Sequence, residues 1–195
     1  MAKINWKQIQ QKVSRSRKLN QSLEAAGRKR VEIAKRKLMQ DFENHAVTQE
    51  INSGPSSKNL SGSLGGYGNL FSFIGFPQGS DPISEVRNLL NASIRVNAGK
   101  AQVSPKGISQ RFSVRVPNVK DFSAVGKMPY EGGNSWIEMI ERGISNFSSY
   151  MEKKSRASRS GSGIQIKGKI RMSSSTPTPY MSELLSKFRK ELMRG

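Results

Sequence analysis

Val31, Ala34, Leu38 and Phe42 recur at i, i+3, i+7 and i+11 inside residues 1–45, a segment that carries 12 basic and 4 acidic residues. Apolar residues at this period make one narrow stripe on a helix. Charged and polar residues fill the rest of the turn. A helix of this kind cannot be buried on all sides. It lays one edge on a core and leaves the remainder to solvent or to a partner. The first half carries Ile4, Trp6, Ile9 and Val13, and then SRSRKLNQS, which is weakly helical. Gly27 can interrupt. The expectation is one long helix with a soft middle, or two helices.

The core must come from the remaining chain. With 195 residues, the length suits one domain with an extension. Cysteine is absent and His45 is the single histidine. That excludes a disulfide scaffold, thiolate metal sites, a cysteine nucleophile and a zinc site of several histidines. No cofactor is expected. No apolar run approaches the ~20 residues of a membrane span, and MAKINWKQ lacks the apolar block of a signal peptide. A protein made and kept in the cytosol, or built into something assembled there, is expected, with no membrane partner.

Residues 46–80 are rich in Gly, Ser and Asn and read as a loop or arm. Within them NLFSFIGF holds three Phe, which need a place to bury. Asp81 and Pro82 open a helix over 81–91, with Ile83, Val86 and Leu90 on one face. Residues 92–98 and 109–117 alternate apolar and polar, which predicts two strands joined by a long turn around Pro105 and Gly107. A short helix over 135–142 starts with a Ser135/Glu138 capping box, and Gly143 can end it. Residues 144–151 read as strand, 153–163 as a basic loop and 163–171 as strand. Thr178 as cap and Pro179 open a last helix with Met181, Leu184, Leu185, Phe188, Leu192 and Met193 on one stripe. The sum is an α+β fold: a small antiparallel sheet packed with helices, a long basic N-terminal helix over 1–45, an extended Gly/Ser-rich arm over 46–80 and a core over 81–195.

No catalytic constellation stands out, and the protein is not expected to be an enzyme. Glu138 and Glu141 read as ordinary surface acids, and His45 as a helix-end histidine, with a general base as the alternative. Charge is the stronger signal. Of the net charge of +19, +8 lies in residues 1–45, +3 in 46–149 and +8 in 150–195. Such segregation suits a polyanion or an acidic protein surface. The candidate residues are Arg15, Arg17 and Lys18; Arg28, Lys29 and Arg30; Lys35, Arg36 and Lys37; and Lys153, Lys154, Arg156 and Arg159.

The order of segments resembles the tail-completion and neck proteins of tailed bacteriophages. Ser61-Gly62-Ser63-Leu64 leads toward the strand at Ala92–Val96, Glu141-Arg142-Gly143 follows, and Pro179-Tyr180-Met181 opens the last helix. Residues 44–76, with AVTQEI and NLSGSLGGYGNLFSFIGF, are similar to neck proteins of contractile-tailed phages in particular. The chain departs from simpler members in the 27 residues between Leu64 and Ala92. The resemblance implies a structural virion protein, assembled in the host cytoplasm as a ring of commonly six subunits. That ring would sit at the head–tail junction or the top of the tail, around the channel that DNA passes through. Its partners would be copies of itself, neighbouring neck, connector or tail proteins, and packaged DNA. On this reading Leu70, Phe71, Phe73, Ile74 and Phe76 form the contact between subunits; the alternative is that they bury under the subunit's own core. The rival function is non-specific nucleic-acid binding.

Overall fold

The computed structural model describes residues 16–64, 68–104, 107–127, 135–142 and 178–194, with the single positions 5, 8, 9, 12 and 129. The expected strands at 144–151 and 163–171, the basic loop 153–163 and the helix stop at Gly143 lie outside these residues.

The long helix, α1, runs Arg17–Asn44 and buries Val31, Ala34, Leu38 and Phe42, the stripe read from their spacing. Gly27 does not interrupt it. Instead the ring of Phe112 lies against Gly27 so closely that an added methyl would overlap it. The glycine serves the close approach of two elements, not a break.

The segment 46–80 differs from the expected arm. A second helix, α2, spans Ala46–Asn52 and buries Val47, Thr48, Glu50 and Ile51. A short helix, α3, spans Leu70–Ile74. Asn69 caps it by accepting the Ser72 N–H at 2.9 Å. Gly75 ends it in the left-handed region at φ 85°, where the missing Cβ avoids a clash. Leu70, Phe71, Phe73, Ile74 and Phe76 are 0–5% exposed in the single chain. Phe76 packs on Phe71 at 5.5 Å between ring centroids and edge-on to Trp136 at 5.9 Å. This corrects the assignment of these five residues to a subunit contact. Side chains already closed off from solvent have no area left to give a neighbouring subunit.

Helix α4, Pro82–Ser93, starts as expected, with Asp81 accepting the Ser84 N–H, and buries Ile83, Val86 and Leu90. The strands are β1, Arg95–Ser104, and β2, Gly107–Arg115. They pair antiparallel from Arg95↔Arg115 to Ser104↔Gly107, with a register shift between Ala98 and Ala101. The ladder therefore reaches the turn: only two residues intervene, not the long turn expected. A 3-10 helix over Val119–Ala124 follows, closed by a reciprocal Asn118/Asp121 capping box. Helices α5, Trp136–Arg142, and α6, Met181–Met193, complete the described residues. α1 packs along α6 and against the hairpin. One apolar cluster joins α1 through α6, with Val96, Val114 and Val116 of the hairpin on its edge. The fold is α+β, a cluster of helices with a two-stranded antiparallel sheet packed on α1 at its edge.

Candidate polyanion-binding face and the cluster behind it

The helical period sorts the basic residues of α1 into three rows. Lys18, Lys29 and Arg36, spaced 11 and 7 apart, share a face and are all exposed. At 1.5 Å per residue the row spans about 27 Å. Ile33, 56% exposed, lies close to the same face. Arg17, Arg28 and Lys35 have the same spacing one step round the helix, nearer the core. In that row Arg28 pairs with Glu24 at 2.7 Å, and Lys35 is half-buried. Arg30 and Lys37 turn toward α6: Arg30 Nη2 donates to the Leu192 carbonyl at 3.1 Å, and Lys37 Nζ meets Glu191 Oε2 at 3.2 Å. These two residues fasten the last helix to the first. So the basic clusters of this helix read from sequence divide into an outward row, a row nearer the core and a structural clasp. Arg15, Lys153, Lys154, Arg156 and Arg159 lie outside the described residues.

Behind this face, segments far apart in sequence meet around Tyr180. Its ring is buried, stacked on Phe42 and Trp136, each at 6.3 Å, and lies 4.8 Å from His45. Its hydroxyl shares a 2.8 Å hydrogen bond with Thr48 Oγ1. Burial pushes the phenol well above its ordinary pKa. The start of α6 is not capped by Thr178, as expected, nor by Tyr180. The Glu141 carboxylate caps it from α5, accepting the Tyr180 N–H at 3.2 Å, the Ser182 N–H at 2.7 Å and the Ser182 hydroxyl at 2.5 Å. An acid there also suits the positive end of the helix dipole. Glu141 is thus no ordinary surface acid.

Glu50 is fully buried and accepts the Ser61 and Leu70 N–H groups, each at 2.7 Å. It ties both ends of the Gly-rich loop to α2. Ser63 Oγ reaches Thr178 Oγ1 at 3.3 Å. Sequence reasoning missed Glu50 altogether. The one available signal was its place inside AVTQEI, between Val47 and Ile51.

His45 caps α2: its Nδ1 accepts the Val47 N–H at 3.2 Å. Partial burial, assisted by Lys187, holds the imidazole below its ordinary pKa against the opposing pull of Glu183 and Glu141. The acceptor lone pair is engaged in the cap and the ring rests on Tyr180, so the arrangement supports a structural histidine. Because the folded-state pKa is lowered, the unfolded chain takes up the proton first. The stabilisation is complete above the unfolded value of about 6.5 and is lost as pH falls through the folded value. Urea unfolding between pH 7.5 and 5 should therefore show falling stability. His45→Asn, which keeps a capping side chain, should flatten that dependence.

The chain matches no protein-family model, no curated protein and no solved structure. Among the described residues no helix is long and apolar enough to cross a membrane. Among them, too, no three His, Asp or Glu side chains gather as a metal set.

Replacing Glu141 by Ala leaves the Tyr180 and Ser182 donors without their acceptor. The expected cost is about 1–2 kcal/mol, at the upper end for a lost cap. Glu141→Gln, which keeps one acceptor oxygen, should cost less. A negligible cost for Glu141→Ala, read by urea midpoints, would show that the cap contributes nothing.

Proposed function

We propose that this protein is a structural virion subunit of a tailed phage. It forms a ring at the head–tail junction or the top of the tail, as tail-completion and neck proteins do. The observation that carries the reading is the meeting of the motif segments. Glu141 of the Glu-Arg-Gly segment caps the helix opened by Pro179-Tyr180-Met181. Ser61 and Ser63 of the Ser-Gly-Ser-Leu segment bond to Glu50 and Thr178. The order that resembles the family is therefore the order in which one cluster is built, and that cluster carries α1. The outward row of α1 then meets an acidic neighbouring subunit. The contact between ring copies falls on surface other than Leu70–Phe76.

Light scattering of the purified chain, with mass spectrometry of particles containing it, tests this. The expected result is a closed ring in solution or with its neighbours, and the chain found at a fixed copy number per virion.

The second reading, non-specific nucleic-acid binding, is favoured by the row Lys18, Lys29 and Arg36, whose exposed charges need only phosphate to neutralise them. A monomer that co-purifies with nucleic acid, released by salt, would select it.

A further inference from the structure

A groove of about 560 Å³ runs between α1, β2 and α6. Val31, Phe112, Val114, Val116 and Leu192 make its floor. Phe112 closes toward Gly27, which leaves room for its ring. Among the described residues, the charged side chains lining the groove are two arginines, Arg30 and Arg189. Each is held by one bond: Arg30 to the Leu192 carbonyl at 3.1 Å, and Arg189 to the Pro117 carbonyl at 3.2 Å. A guanidinium has five N–H donors in a planar fork, so each retains donors while its direction is set. Met193, 81% exposed, stands at the lip with a pliable apolar side chain.

We infer that this groove docks an acidic amphipathic segment of a partner protein, its apolar side chains on the valine floor and its carboxylates on Arg30 and Arg189. Charge complementarity decides the occupant. Two fixed guanidiniums, with no acid among the described residues that line the groove, favour carboxylates in bidentate geometry. The volume suits two or three side chains rather than a whole helix face. A second copy of this chain fits poorly. Glu24, Glu43, Glu138, Glu183 and Glu191 are already in ion pairs, and Glu50 and Glu141 are engaged with backbone N–H groups. Glu32 and Glu85 are exposed, but neither has another acid within three residues in the sequence to make an acidic segment. The chain's own residues 143–177 hold seven Lys and Arg against one Glu, which sets like charge against this rim. The inference stands apart from the phage reading, since an acidic partner of any origin satisfies it.

The test uses the full chain and a labelled synthetic peptide of Glu alternating with Leu and Phe, followed by fluorescence anisotropy. Binding should fall when the Glu residues become Gln, and also when Leu and Phe become Ser. Arg30→Gln with Arg189→Gln should weaken it by about tenfold or more, the loss of two charge-assisted contacts. Met193→Glu, at an exposed position where folding is not at stake, should weaken it in the same direction. Lys18→Gln with Lys29→Gln removes the same charge from the other face of α1 and should leave binding within about threefold, because exposed charges act weakly at a distance. Equal losses for the two double variants would reduce the effect to net charge and overturn the inference. Tighter binding of decanoate than of the peptide, dependent on the same arginines, would overturn it in favour of a fatty-acid site. Self-association lost in the Arg30/Arg189 variant would assign the groove to a second copy. Hydrogen-exchange protection of 163–171 lost in that variant would assign it to the chain's own segment.

Discussion

Phe71→Ala in the isolated chain should cost about 3–5 kcal/mol, the usual loss for truncating a buried Phe. Phe71 is 2% exposed and lies against Phe76, which in turn meets the buried Trp136. A domain of this size has roughly 5–15 kcal/mol to lose, so the variant should be largely unfolded or melt far earlier. Calorimetry on the free chain decides it, with hydrogen exchange beside it. Amides of residues 70–76 should exchange only through opening close to global unfolding. A subunit-contact residue would behave otherwise. Its truncation would leave the free chain's melting unchanged and abolish assembly alone.

The second large effect belongs to the outward row of α1. Lys18, Lys29 and Arg36 replaced together by Ala should barely change stability, because all three are exposed. On the proposed function the same change abolishes assembly with the acidic neighbour, while duplex DNA binding is feeble at physiological salt throughout. On the nucleic-acid reading the unaltered chain binds duplex without sequence preference. The triple change then flattens the log–log salt slope by up to about 3, at about 0.9 per phosphate contact. Arg28 and Arg30 are poor choices for this test despite their place in the densest basic run. Arg28 pairs with Glu24 and Arg30 holds the Leu192 carbonyl. Arg30 faces α6 and not the outward row, so its loss would not report on that row.

The aromatic segment and the basic runs show the same limit of sequence reading. Three Phe within a Gly- and Ser-rich stretch signal a need for burial but not the place. α2 and α3 are too short to show a repeating period, and they fold because Glu50 and Asn69 satisfy backbone N–H groups locally and across the loop. Likewise the run Arg28-Lys29-Arg30 looks uniform in sequence. Successive residues on a helix point about 100° apart, so its members go to an ion pair, to solvent and to a neighbouring helix.

By itself the sequence determined the elements with a local period and a local start signal. These are the buried stripe of α1, the Asp81-Pro82 opening and apolar face of α4, the alternation of the hairpin, and Met181, Leu184, Leu185 and Phe188 in α6. The physical reason is that amphipathic period and capping act over a few residues, so the chain carries them openly. Tertiary structure alone decided the rest: that Gly27 makes room for Phe112, that the Leu70, Phe71, Phe73, Ile74 and Phe76 side chains close the chain's own core, and that Glu141 caps a helix beginning 40 residues later. A carboxylate's partner across such a distance is set by how helices pack against one another, and packing leaves no period in the sequence for a reader to find.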